Sequence, residues 1–175
     1  MDKIWHVVLS ESAAKIGVCY GMRGNNLPSP REVINMYKQY NIGRMRLYDP
    51  NLDALQALRG TNIELMLNIP NKELKRIASS QDYANTWFWN NVQNYGDVTF
   101  RYIAVGNEIK PHGPFAQYLF PAMQNIRTAV YKLALEKRFK SPLPLIKLPL
   151  QSPTLHQKAP SHLNTDHFLI LSLAS

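Results

Sequence analysis

Positions 106–108 hold Gly106, Asn107 and Glu108, directly after Tyr102, Ile103, Ala104 and Val105. That mostly apolar run reads as a strand buried on both faces. Gly106 permits a turn or a close backbone approach. The Glu108 carboxylate then falls just past the carboxyl end of the strand, where α/β enzymes keep their chemistry. A carboxylate so placed can give or take a proton. The competing reading is a strand-end glutamate that simply faces water, as most acidic side chains do.

The elements that must position this group follow one pattern. Residues 15–21 read as a short strand ending at Gly21, and Asn25, Asn26, Leu27 and Pro28 form a loop. Ser29, Pro30 and Glu32 make a helix start, with a cap, a proline in the first turn and the glutamate of a capping box. The helix is expected to reach about Tyr40, with Val33, Met36 and Tyr37 on one face and Asn41 and Gly43 as its stop. Met45 to Tyr48 is a second strand, and Asp49 is the expected cap of a helix carrying Leu52, Leu55 and Leu58. Ile63 to Ile69 is a third strand, stopped by Pro70, with Asn71 as cap of the next helix. Ser80 and Asp82 open another helix, whose Tyr83, Trp87 and Val92 read as core. After the strand before Glu108, Leu119, Met123, Ile126, Val130 and Leu133 mark a long helix over about 115–137. Strand then helix, four times over, implies parallel strands with crossover connections. The strand ends carry Tyr20, Gly21, Tyr48, Asp49, Asn68, Asn107 and Glu108, which would gather on one rim of a barrel or sheet.

Composition narrows the partners. The 175 residues suit one domain, and 45% apolar with 18% charged residues is a globular balance. No run approaches the roughly eighteen apolar residues of a membrane span. A formal charge of +8 raises the question of an acidic partner. The basic residues are scattered, however, at Lys38, Arg44, Lys72, Arg76, Arg101, Arg127 and Lys137, so no nucleic-acid partner is expected. Cys19 is the only cysteine, which excludes an intrachain disulfide and a cysteine-based metal site. The glycine-rich dinucleotide fingerprint and the phosphate loop are missing, and no cofactor or metal is expected. Residues 1–15 hold one short apolar piece, Ile4 to Leu9, broken by His6. They read as an atypical leader without an export signal, which would leave the chain as written in the cytoplasm.

Five ordered stretches together resemble the plant glucan endo-1,3-β-glucosidases of glycoside hydrolase family 17. They are residues 16–21 (IGVCYG), 24–28 (GNNLP), 45–48 (MRLY), 104–108 (AVGNE) and 121–125 (PAMQN). The resemblance implies a (β/α)8 barrel of which residues 16–138 are the first half, and a β-1,3-glucan substrate. It implies that Glu108 is the proton donor, that Asn107 positions the sugar, and that Tyr48 and Tyr20 line the substrate subsites. A retaining glycosidase needs a second carboxylate about 5–5.5 Å from the first, to attack the anomeric carbon. The family takes it from a later strand, in a Glu-Ser-Gly-Trp-Pro-like motif that this sequence lacks. After Glu108 the only carboxylate side chains are Glu136 and Asp166, neither in that context. The expectation is an enzyme by family whose nucleophile is missing from this chain and which is inactive. The alternatives are a glucan-binding fragment without catalysis, or a non-functional product of a frameshifted gene.

Residues 139–175 change character, with Pro142, Pro144, Pro149, Pro153 and Pro160 and many Ser, His and Leu. They read as an irregular, out-of-frame tail. Back-translated one nucleotide earlier, residues 141–145 permit VSTAI and residues 153–175 permit SYPPSKGAFTSEYRPFLDPIISF, both family-like. The expectation is a one-nucleotide slip near residues 134–140. His156, His162 and His167 are then accidental, and too widely spaced for a metal site. Half a barrel would leave the first and fourth strands unpaired, with marginal stability and self-association through the exposed edges.

Overall fold

A computed structural model describes residues 17–135, 144–148 and 169–170 of the protein. Among them, strands β1 (Gly17–Tyr20), β2 (Arg44–Leu47), β3 (Glu64–Ile69), β4 (Phe100–Val105), β5 (Leu145–Leu148) and β6 (Leu169–Ile170) form one sheet in chain order. All pairs from β1 to β5 are parallel, and β6 runs antiparallel to β5. The connections carry α1 (Pro30–Gln39), α2 (Leu52–Leu58), α3 (Asn71–Ser79), α4 (Gln81–Asn91) and α5 (Ala116–Leu135). The expected alternation of strand and helix is present through α5.

Strand alternation divides the sheet into two faces. Met45, Leu47, Leu65, Leu67, Ile103 and Val105 are buried in one core cluster with Ile34, Leu55, Leu74 and Ile77 of the helices. The other face carries Gly17, Cys19, Arg44, Arg46, Glu64, Met66, Tyr102 and Lys147 around a cavity of about 330 Å³. There Glu64 bridges two guanidinium groups, Arg44 at 3.1 Å and Arg101 at 2.6 Å. Arg101 reaches it because the pairing of β3 with β4 slips by one residue between Leu65 and Met66. The Lys147 ammonium lies 3.8 Å from the centre of the Tyr102 ring.

The helix starts show which local readings hold. Ser29 caps α1 with a full capping box, and Pro30 stands in the first turn, as expected. The hydrogen bonds from the Ser29 hydroxyl and then its backbone hold the Glu32 carboxyl below its ordinary value. Asp49, by contrast, does not cap α2. Asn51 does, accepting from the Ala54 amide at 2.9 Å. Asn71 is not a cap either, since it is the first residue of α3 and Pro70 precedes it without a side-chain bond. Ile34 takes the buried place expected of Met36, and Leu52 is exposed. From α5, the Asn125 amide donates to the Ile77 and Ala78 carbonyls at the end of α3.

The largest departure lies past residue 138. The Leu145–Leu148 segment was expected to belong to an irregular tail, yet β5 pairs with β4 in register, Tyr102 with Leu145 and Ala104 with Lys147. The far edge of β4 is therefore covered, contrary to the expectation that it stays unpaired. Prolines at 142, 144 and 149 exclude a helix there. A four-residue strand fits between the last two. The leader, residues 136–140 of the proposed slip region with Glu136 and Lys137, Asp166 and the three tail histidines lie outside the described residues.

Candidate active site

The carboxyl ends of the first four strands open on a cavity of about 710 Å³. Tyr20, Tyr48 and Asn107 line it together, with Asp49, Asn71 and Lys72. Three of the four residues singled out by sequence thus share one hollow. The fourth, Glu108, follows Asn107 on the rim and is exposed.

The turn that carries Glu108 is held from three sides. Gly106 has φ +80°, and a Cβ there would collide with the Ile109 side chain, so no other residue fits without a shift. Its amide gives the last ladder bond, to Ile69 O at 3.0 Å. Its carbonyl accepts from the Asn68 amide at 2.8 Å, and Asn68 is fully buried. Asn71 then takes both backbone groups of Asn107. Its carbonyl oxygen accepts from the Asn107 amide at 2.7 Å, and its amide donates to the Asn107 carbonyl at 2.9 Å. Glu108 leaves the turn with φ +48°, a left-handed conformation costing a non-glycine residue about 1–2 kcal/mol. No hydrogen bond or ion pair engages its carboxylate among the described residues.

Arg46 ties the side chains together. Its Nε donates to Asn68 Oδ1 at 2.9 Å and its Nη2 to Asn107 Oδ1 at 2.7 Å. Its guanidinium also stacks 4.6 Å from the centre of the Tyr48 ring. An arginine only donates, so it fixes the oxygens of both asparagines toward itself. The amide nitrogen of Asn107 is left as that side chain's remaining polar end. Sequence reading quoted Arg46 inside a motif and Asn68 as a strand end without giving either a role. The only signal was a basic and an amide residue on inward positions of neighbouring strands.

The two tyrosines differ. Tyr48 is about one-third exposed at the cavity wall. Its hydroxyl is raised above the ordinary phenol value, first by a hydrogen bond with Cys19, then by partial burial. The Glu108 charge adds to the rise and Arg46 opposes it. Tyr20 is only 7% exposed and stands edge-on to Tyr37 with ring centres 6.2 Å apart. Most of its ring is given to the core, and burial raises its hydroxyl likewise. Among the described residues, no group of three or more His, Cys, Asp or Glu is placed to hold a metal ion. No described helix is long and apolar enough to cross a membrane.

Comparison with known proteins gives a consistent result. Residues 16–152 match the sequence profile described as glycosyl hydrolases family 17. A glucan endo-1,3-beta-glucosidase of Brassica campestris is 60% identical over 119 residues, which are 68% of this chain and 35% of that protein. The basic vacuolar isoform of Nicotiana plumbaginifolia is 52% identical over 132 residues, 73% of this chain and 36% of that protein. A solved structure from work on two plant beta-glucan endohydrolases with distinct substrate specificities superposes with a TM-score of 0.66 at 44% identity. It covers 72% of this chain and 40% of that one. The chain thus spans little more than a third of the length of the curated relatives it matches.

Proposed function

The chain belongs to the glycosyl hydrolases family 17, and we propose that its rim is the proton-donor side of a β-1,3-glucan endohydrolase site. Glu108 gives its proton to the glycosidic oxygen as the bond to the anomeric carbon breaks. Asn107 presents its amide N–H groups to a sugar oxygen, because Arg46 occupies its carbonyl oxygen. Tyr48 offers a ring face and a hydroxyl to the neighbouring sugar, and Tyr20 backs the wall. The observation that carries this reading is the left-handed turn at the end of β4, which sets an exposed carboxylate beside an oriented amide.

In a retaining mechanism a second carboxylate attacks the anomeric carbon, and water later releases the sugar with the first group acting as base. Glu136 and Asp166, the only later carboxylate side chains, lie outside the described residues and stand in no nucleophile motif. We take the 175-residue polypeptide by itself to hold the donor without the nucleophile. Loss of a covalent nucleophile removes the step that forms the intermediate. That supports a second reading for this polypeptide, glucan binding without turnover. We also carry forward the reading that residues 139–175 are translated out of frame. On that reading the polypeptide is a damaged product that neither binds nor cleaves.

Incubation of the purified chain with a soluble β-1,3-glucan, scored by new reducing ends, separates these. Binding with no release is the expected result. Release that vanishes in Glu108→Gln would establish turnover and refute the missing nucleophile. Absence of both binding and release would leave only the damaged product.

A further inference from the structure

We propose that Asn71 is a positioning residue for this site: its side-chain amide substitutes for a missing strand partner and holds the backbone turn that aims Glu108. The inference rests on the proposed role of Glu108, but its structural part stands alone.

β3 ends at Ile69 and the chain turns through Pro70 into α3 at Asn71, so the β3–β4 ladder stops at the bond from the Gly106 amide to the Ile69 carbonyl. β4, however, runs on into Asn107 and Glu108, whose backbone groups need partners. Asn71 meets that need with one side chain. Its oxygen takes the Asn107 N–H at 2.7 Å and its nitrogen serves the Asn107 carbonyl at 2.9 Å. An extended neighbouring strand would supply the same donor and acceptor. Asn68 does half of this one residue earlier, at the Gly106 carbonyl. Gly106 and Glu108, on either side of the pinned residue, both have positive φ, at +80° and +48°. Those two bonds hold the peptide planes on either side of the Asn107 Cα, the 106–107 plane by its N–H and the 107–108 plane by its carbonyl, and the second plane fixes the left-handed φ of Glu108. Asn71 was read from sequence as a helix cap. The side chain is free for this other duty because α3 takes no side-chain cap at its start.

The test uses the whole 175-residue chain and two variants, Asn71→Ala and Asn71→Asp. Amide exchange and the HN–Hα coupling of residues 106–108 are measured by NMR without sugar. In Asn71→Ala, exchange at the Asn107 amide should rise about ten-fold or more, and the Glu108 coupling should leave its left-handed value. Asn71→Asp keeps the acceptor and loses the donor. It should keep slow exchange at Asn107 while the Glu108 coupling still shifts. An unchanged Glu108 coupling in either folded variant overturns the proposal, and Asn71→Asp decides it if Asn71→Ala does not fold. A second arm titrates a β-1,3-gluco-oligosaccharide. Affinity should fall about ten-fold in Asn71→Ala, and this loss should vanish when Asn107→Ala and Glu108→Gln are already present. An equal loss in both backgrounds means that Asn71 acts on the sugar directly, which also overturns the proposal. If the unaltered chain binds no oligosaccharide, the functional reading falls, while the exchange and coupling data still decide the clamp.

Discussion

At the scale of single residues, the rim is a set of groups whose orientations are fixed by partners that can bond in only one way. Arg46 must donate, so Asn68 and Asn107 both turn their oxygens to it. Removing it with Arg46→Ala leaves the oxygen of the fully buried Asn68 without that donor, at a cost of about 1–3 kcal/mol. Urea denaturation should show that loss, and oligosaccharide affinity should fall with it. Gly106→Ala forces a Cβ against Ile109 at positive φ and should cost about 1–3 kcal/mol by the same measurement. A Gly106→Ala variant as stable as the parent would mean that the turn is not constrained as described. The rim placement of Tyr48, Asn107 and Glu108 was legible in the sequence because each follows the end of a recognisable strand. The wiring among them was not. Arg46 and Asn107 stand 61 positions apart, and no local pattern announces a bond that only the fold creates.

At the scale of elements, local chemistry was readable wherever it stayed local. The capping box of α1 spans four residues and was plain from Ser29, Pro30 and Glu32. Its pH behaviour follows from the lowered Glu32 carboxyl. A group depressed in the folded state stabilises above its unfolded pKa and loses that contribution as pH falls through the folded value. The urea midpoint should therefore drop as pH falls below the ordinary carboxylate range, and Ser29→Ala should shrink that drop. At α2 the cap is Asn51 and not the expected Asp49, because the helix begins at Leu52 and only Asn51 stands next to it. Docking of α5 on α3 depends on Asn125, whose amide serves two end carbonyls of α3. Asn125→Ala should cost about 1–2 kcal/mol and speed amide exchange in the last turn of α3. β5 escaped the sequence reading because its prolines were weighed as helix breakers and its four intervening residues were not weighed as a strand.

At the scale of the whole molecule, the helix-covered face of the sheet is apolar and the other is a charged wall. Arg44, Glu64, Arg101 and Lys147 surround a cavity there, and the outer edge of β1 has no partner strand among the described residues. We expect the 175-residue polypeptide to associate through that edge, seen as a sedimentation coefficient that rises with concentration. A concentration-independent monomer with one cooperative unfolding transition would count against it. Coding DNA for residues 134–175 tests the frame directly. The frame one nucleotide earlier should encode family-like sequence, and any other sequence there ends that reading.

The claim on which the rest depends is that the β4 rim holds a β-1,3-linked sugar. Calorimetric titration of the chain with a β-1,3-gluco-oligosaccharide tests it most directly, beside its Asn107→Ala variant and a β-1,4-linked oligomer of equal length. Saturable heat with the β-1,3 oligomer, at an affinity about ten-fold lower in Asn107→Ala, is the expected result. No heat, or the same affinity in the variant, would contradict it.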